Sequence, residues 1–161
     1  MPFSNRAFCR ALESPSLSEL LIWLRQQGTP ATQISQARPS GDLLSSFWER
    51  ADLQIAGEPA LALECIRADA AGVDRLTAAV ADFVADVQEL PDTPARARVL
   101  EHLAAVRSLV VVEFSTHHVS DQAEEVAGAV LALFVERAGG LAQRDGVGFL
   151  DEDDDVVLAL G

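Results

Sequence analysis

Residues 109–114 read Leu109-Val110-Val111-Val112-Glu113-Phe114, a continuous apolar run that is rich in β-branched side chains. Such a run is typical of a central strand that is buried on both faces of a sheet. A helical pattern follows over 121–138, and a further strand pattern follows over 141–150. The three segments have the length of a βαβ unit over 109–150, in which a right-handed crossover joins two strands.

The segment before this unit begins with a well-marked helix. Residues 16–19 read Ser-Leu-Ser-Glu, which matches a capping box, and leucines at helical spacing follow from Leu17 to Leu24. Gly28 and Pro30 end this helix. Residues 1–15 show no comparable pattern, and we expect them to be loosely ordered.

Residues 47–67 alternate between apolar and polar side chains and predict a β-hairpin, with a shorter strand around Ile34. Two helices are predicted after it, over about 73–90 and 94–107. The chain closes with a hairpin around the acidic turn 151–155.

The predicted fold class is therefore α+β. We expect a mixed, mostly antiparallel sheet of about five strands with about four helices packed on it. A chain of 161 residues has the length of one domain, so a single globular domain over 1–161 is predicted.

The composition excludes several classes of enzyme. The chain contains no lysine, which Schiff-base enzymes, pyridoxal-phosphate enzymes and P-loop NTPases all require. It also contains no tyrosine and a single asparagine, a bias that fits the GC-rich genome of a bacterium.

The formal net charge is −13, and it is unevenly distributed. Residues 1–60 carry a net charge of −1, whereas residues 61–161 carry −12. So acidic a surface repels phosphate, which argues against nucleic acid and against anionic membranes as partners. A basic protein partner or a cation fits this charge better.

Two cysteines, Cys9 and Cys65, are too few and too far apart in sequence to indicate a disulfide framework. Free thiols favour a reducing compartment. Neither a signal peptide nor an apolar stretch of membrane-spanning length is recognisable. We therefore expect a soluble, cytoplasmic protein.

The turn over 113–121 is the first candidate site. It contains Glu113, His117, His118 and Asp121. It joins the carboxyl end of a buried strand to a helix, where open α/β sheets place their ligands. Two imidazoles and a carboxylate could bind a divalent metal there, with Glu113 behind them, or an anion could bind at the free N–H groups. The alternative is a solvated loop with two ordinary histidines.

The acidic run 151–155 is the second candidate. Asp151, Asp153 and Asp155 resemble the first ligands of a calcium loop, but Val156 stands where that loop needs glycine. An EF-hand is therefore excluded, which leaves a weak divalent-cation site or a solvated hairpin tip.

The third candidate is a pair of carboxylates, Glu64 and Glu113, near the carboxyl ends of two apolar strands. Held together in a dry site, they could divide the roles of general acid and general base. Alternatively, Glu64 pairs with an arginine or faces water. The neighbouring Cys65 lies on the apolar face of its strand, which indicates a buried core residue rather than a nucleophile.

Two functions follow from these patterns. The first is a non-catalytic interaction module that binds a basic protein partner and needs no cofactor. The alternative is a small metal-assisted hydrolase, or a metal- or anion-binding domain, that uses the turn 113–121.

Overall fold

The fold consists of one antiparallel sheet with helices on both faces. The computed structural model describes residues 4–29, 32–35, 43–116 and 118–160. The strands are β1 (Ser4–Cys9), β2 (Thr32–Ser35), β3 (Arg50–Ile55), β4 (Glu58–Arg67), β5 (Ser108–Phe114), β6 (Gly140–Arg144), β7 (Gly148–Leu150) and β8 (Val156–Ala159). The helices are α1 (Leu17–Gln26), α2 (Val73–Gln88), α3 (Pro94–Ala104) and α4 (Asp121–Arg137).

The strand order is β2-β3-β4-β5-β1-β6-β7-β8, and each neighbouring pair is antiparallel. The predicted α+β class is confirmed. The expectation of about five strands is too low, because the described residues form eight, and the sheet is antiparallel rather than mixed.

The βαβ unit predicted over 109–150 is not confirmed. β1 lies between β5 and β6 and pairs antiparallel with both of them. Therefore β5 and β6 point in the same direction, but they form no hydrogen-bonded pair with each other. A strand from the beginning of the chain occupies the place where the parallel pairing would be.

The expectation that residues 1–15 are loosely ordered is wrong for residues 4–9. They form β1, in which Ala7, Phe8 and Cys9 are completely buried. This strand has only three apolar residues, and its burial comes from two neighbouring strands and from helices on both sides. Residues 1–3 lie outside the described residues.

The strand pattern over 141–150 is in fact two strands joined by a tight turn. Gly146 has a φ of +77°, a left-handed conformation that glycine adopts without strain. Val147 N–H donates to the carbonyl of Arg144, which closes the turn. The chain therefore reverses direction within a segment whose sequence pattern predicts one continuous strand.

Each face of the sheet has its own hydrophobic cluster. α1 and α4 cover one face and pack on Val110 and Val112 of β5, among others. α2 and α3 cover the opposite face and pack on Leu109 of the same strand. Because β5 contributes to both clusters, we still predict a single domain.

The helix starts agree with the sequence patterns. Ser16 forms the complete capping box with Glu19, and Thr93 and Ser120 each accept a hydrogen bond from a backbone N–H of the first turn. In the described part of the chain, no helix has both the length and the apolar character that a membrane crossing needs.

Candidate functional site

A cleft of about 630 Å³ lies beside α4, on the face of the sheet that α1 and α4 cover. Its apolar wall comes from α4 and its floor from β6. The acidic turn between β7 and β8 forms the rim. The lining residues are Gly128, Leu131, Ala132, Val135 and Glu136 of α4, Ala142 and Arg144 of β6, and Asp151, Glu152, Asp153 and Asp154 of the turn.

The acidic turn is held in shape by the first of its carboxylates. Asp151 Oδ1 accepts the backbone N–H groups of Asp153 and Asp155, at 2.9 and 3.0 Å. Asp154 adopts a left-handed φ of +65°, which aspartate tolerates better than most residues. Asp151 is half-buried and has a structural role, while the side chains from Glu152 to Asp155 are exposed and face solvent.

In the part of the chain that the structure describes, one cationic side chain enters this cleft. The Arg144 side chain reaches from β6, and its Nη2 lies 3.0 Å from Asp154 Oδ1. Among the described residues that line the cleft, five carboxylates stand against this one arginine, so the cleft is strongly negative. It combines an apolar wall with an acidic rim.

The structure describes the turn 113–121 in part, without His117. His118 and Asp121 are exposed, and His117 lies outside the described residues. Thr116 Oγ1 donates to the carbonyl of His118, and Ser120 caps α4. Because both neighbours of β5 are antiparallel to it, the rule that places ligands at the carboxyl ends of parallel strands does not apply here.

No metal centre is formed by the side chains that the structure describes. Across these ranges, no three His, Cys, Asp or Glu side chains are grouped so that they could hold a metal ion. The calcium-like residues of the acidic turn are included in this statement. Asp151 Oδ1 accepts two backbone N–H groups of the turn.

Glu64 and Glu113 lie on the same face of the sheet, on the adjacent strands β4 and β5. Glu64 is opposite Val111, and Glu113 is opposite Ala62, which makes the two glutamates diagonal neighbours. Arg75 Nη2 lies 2.6 Å from Glu64 Oε1, and the Glu113 side chain is exposed. Since neither carboxylate is in a dry environment, the geometry provides no division into a general acid and a general base.

Both cysteines are buried core residues, as predicted for Cys65. Burial raises the pKa of each thiol to about 12, so both stay protonated near neutral pH. Cys9 and Cys65 lie on β1 and β4, with β5 between these strands. Two strand spacings are roughly 10 Å, which is too far for a disulfide bond.

Sequence reasoning missed the α4 wall of the cleft and the role of Arg144. The acidic run itself is visible in the sequence, but its position beside α4 depends on the folded arrangement of three separate elements. One available signal is Gly128, which interrupts the apolar pattern of α4. If a Cβ is added to Gly128, its nearest neighbour is Arg144 Nη2 at 3.9 Å.

Comparison with known proteins gives no match for this chain, whether with protein-family models, with curated proteins or with solved structures.

Proposed function

We propose that this chain is a non-catalytic interaction module that binds a basic segment of a protein partner in the cleft beside α4. The observation that carries the proposal is the lining of the cleft, which in the described residues combines five carboxylates, one arginine and an apolar helix face. The cleft lies entirely within residues 61–161, the part of the chain with a net charge of −12.

The two kinds of lining surface favour a peptide over a free cation. Glu136 stands on the α4 side and Glu152 to Asp154 stand on the turn side, so a chain that crosses the cleft meets carboxylates on both sides. Ala132, which is exposed, and Val135, which is partly buried, offer an apolar surface between them. Interfaces of this kind use apolar contacts for affinity and charges for specificity and rapid association.

The remaining properties of the chain fit this function. The net charge of −13 opposes binding to nucleic acid or to an anionic membrane. Two buried, protonated thiols fit a reducing cytoplasm, where we place the interaction.

The test uses a labelled peptide of sequence Arg-Arg-Leu-Ala-Arg-Arg and fluorescence anisotropy at low and at physiological ionic strength. We expect binding that weakens with salt, and no binding of the counterpart with glutamate in place of arginine. The double variant Glu152→Gln/Asp153→Asn should weaken binding by roughly two- to tenfold. The matched control is Asp82→Asn/Asp86→Asn, which removes two exposed carboxylates from α2 on the opposite face of the sheet.

A second pair of variants tests the cleft rather than the overall charge. Ala132 is exposed on the α4 wall, and Ala132→Arg should block the cleft. Ala81→Arg adds the same charge at an exposed position of α2 and should leave the affinity nearly unchanged. Equal losses from both members of either pair would mean that the peptide responds only to overall charge, which would refute the proposal.

A further inference from the structure

Arg144 places its guanidinium between α4 and the acidic turn. Its Nη2 lies 3.0 Å from Asp154 Oδ1 and 3.2 Å from Oδ2. On the α4 side, a Cβ added to Gly128 would lie 3.9 Å from the same nitrogen. A guanidinium of the chain itself therefore already lies where the cleft would hold a partner's cation.

The contacts of this guanidinium are incomplete. Nη2 meets the carboxylate, whereas Nε is buried without a hydrogen-bond partner among the described residues. Arginine has five N–H donors, and its strongest carboxylate pairs use two parallel N–H groups. The Arg144 side chain is 34% exposed and that of Asp154 is 63% exposed. Ion pairs this accessible to water are weak, so a second guanidinium can replace Arg144 at small cost.

We propose that the cleft recognises arginine, and that Arg144 is an internal substitute which the arginine of the basic partner displaces from Asp154. This inference rests on the proposed function and adds to it the residue type of the partner and a competitor within the chain. A guanidinium is planar, weakly hydrated and able to bind both carboxylate oxygens, whereas the ammonium of lysine is compact and strongly hydrated. Gly128 places the guanidinium beside the helix, where even an added Cβ would lie at an ordinary contact distance of 3.9 Å from Nη2.

The first test removes the competitor. In Arg144→Met the aliphatic part is kept and the guanidinium is lost, and Arg144→Gln serves as a second, polar replacement. Both variants should bind the peptide Arg-Arg-Leu-Ala-Arg-Arg about two- to fivefold more tightly than the wild type. A cooperative melting transition shows that a variant is folded. If the folded variants bind the peptide no more tightly than the wild type, the inference is wrong.

The second test removes the acceptor. Asparagine suits the left-handed conformation of residue 154, so Asp154→Asn should keep the turn intact. It should weaken peptide binding, and the gain from Arg144→Met should disappear in the double variant. A gain that persists without the Asp154 carboxylate would overturn the inference.

The third test replaces the arginines of the peptide with lysines, and we expect a severalfold loss of affinity. Equal affinity for the lysine peptide would overturn the assignment of arginine. Failure of the arginine peptide to bind any of the proteins overturns the proposed function and this inference together, whereas binding without a gain in Arg144→Met overturns this inference alone.

Discussion

Arg6 and Asp145 form an ion pair that connects β1 to the turn after β6, with 2.6 Å between Nη1 and Oδ1. The same carboxylate accepts the backbone N–H of Ser4 at 3.0 Å, and the Arg6 guanidinium also donates to Gln143. Gln143 is buried, so this polar network lies at the boundary of the core. It fixes the position of the strand that separates β5 from β6.

Replacing Asp145 with asparagine should destabilise the fold. The change removes the charge that holds Arg6 and Ser4, and because the pair is partly exposed we expect a loss of about 1–2 kcal/mol in the free energy of unfolding. Urea unfolding near neutral pH measures it. The control is Asp154→Asn, which breaks the more exposed pair with Arg144 and should cost less.

The effect of Asp145→Asn should also depend on pH. Burial acts to raise the pKa of Asp145, but hydrogen bonds from Ser4, Arg6 and Gln143 lower it on balance below the usual 3.8. The contribution of a carboxylate with a lowered pKa is complete above 3.8 and is lost as the pH falls through the folded value. Wild type and variant should therefore converge in stability in strong acid, and a constant difference would contradict this account.

His102 should contribute a second pH dependence at higher pH. Its Nε2 lies 2.6 Å from the carbonyl oxygen of Phe8, and burial lowers its pKa below 6.5 even though this hydrogen bond opposes the shift. A lowered pKa means that the folded state prefers the neutral imidazole. Its stabilising effect is then present above pH 6.5 and lost as the pH falls through the lowered pKa.

The measurement compares wild type with His102→Gln by urea unfolding between about pH 8 and about pH 5. Glutamine can still donate to the Phe8 carbonyl but does not titrate. The stability of the wild type relative to the variant should decrease as the pH falls over this interval. An increase would show that the folded state prefers the charged imidazole.

The local elements of this fold are largely readable in the sequence. Ser16 and Glu19 predict the start of the first helix, because a capping box satisfies backbone N–H groups with side chains that are close in sequence. The hairpin of β3 and β4 follows from the alternation over 50–67, where one face is buried. Such features depend on neighbours along the chain, which is why pattern reasoning finds them.

The position of β1 depends instead on contacts that are distant in sequence. Arg6 forms an ion pair with Asp145, and Phe8 packs on Phe83 and Phe149. No pattern within residues 4–9 indicates these partners, which is why the sequence predicts a βαβ unit over 109–150 and not this strand. The same reason applies to the cleft, because the acidic turn is local whereas its distance from Gly128 and Arg144 is a property of the fold.

Val112→Asp should prevent folding or cost about 4 kcal/mol or more, because it places an unpaired charge at a completely buried position of β5. The matched control is Glu113→Gln on the same strand, whose side chain is exposed and whose effect should stay within about 0.5 kcal/mol. Circular dichroism and urea unfolding measure both variants. A folded Val112→Asp protein of wild-type stability would mean that β5 is not central.

Gly128→Ala should stabilise the chain by about 0.5–1 kcal/mol, because alanine restricts the unfolded state and favours the helix. The added Cβ would meet only Arg144 Nη2, at an ordinary contact distance of 3.9 Å. Thermal unfolding measures the gain. A loss of stability would show that α4 packs more closely at Gly128 than the structure indicates.

NMR on the isotope-labelled chain can map where the peptide Arg-Arg-Leu-Ala-Arg-Arg binds. We expect the largest amide shifts in α4 from Gly128 to Glu136, around Arg144, and in the turn 151–155. These shifts should weaken in Ala132→Arg but not in Ala81→Arg. The largest shifts on the sheet face around Glu64 and Glu113, or in the turn 113–121, would contradict the claim that the cleft beside α4 binds a basic partner.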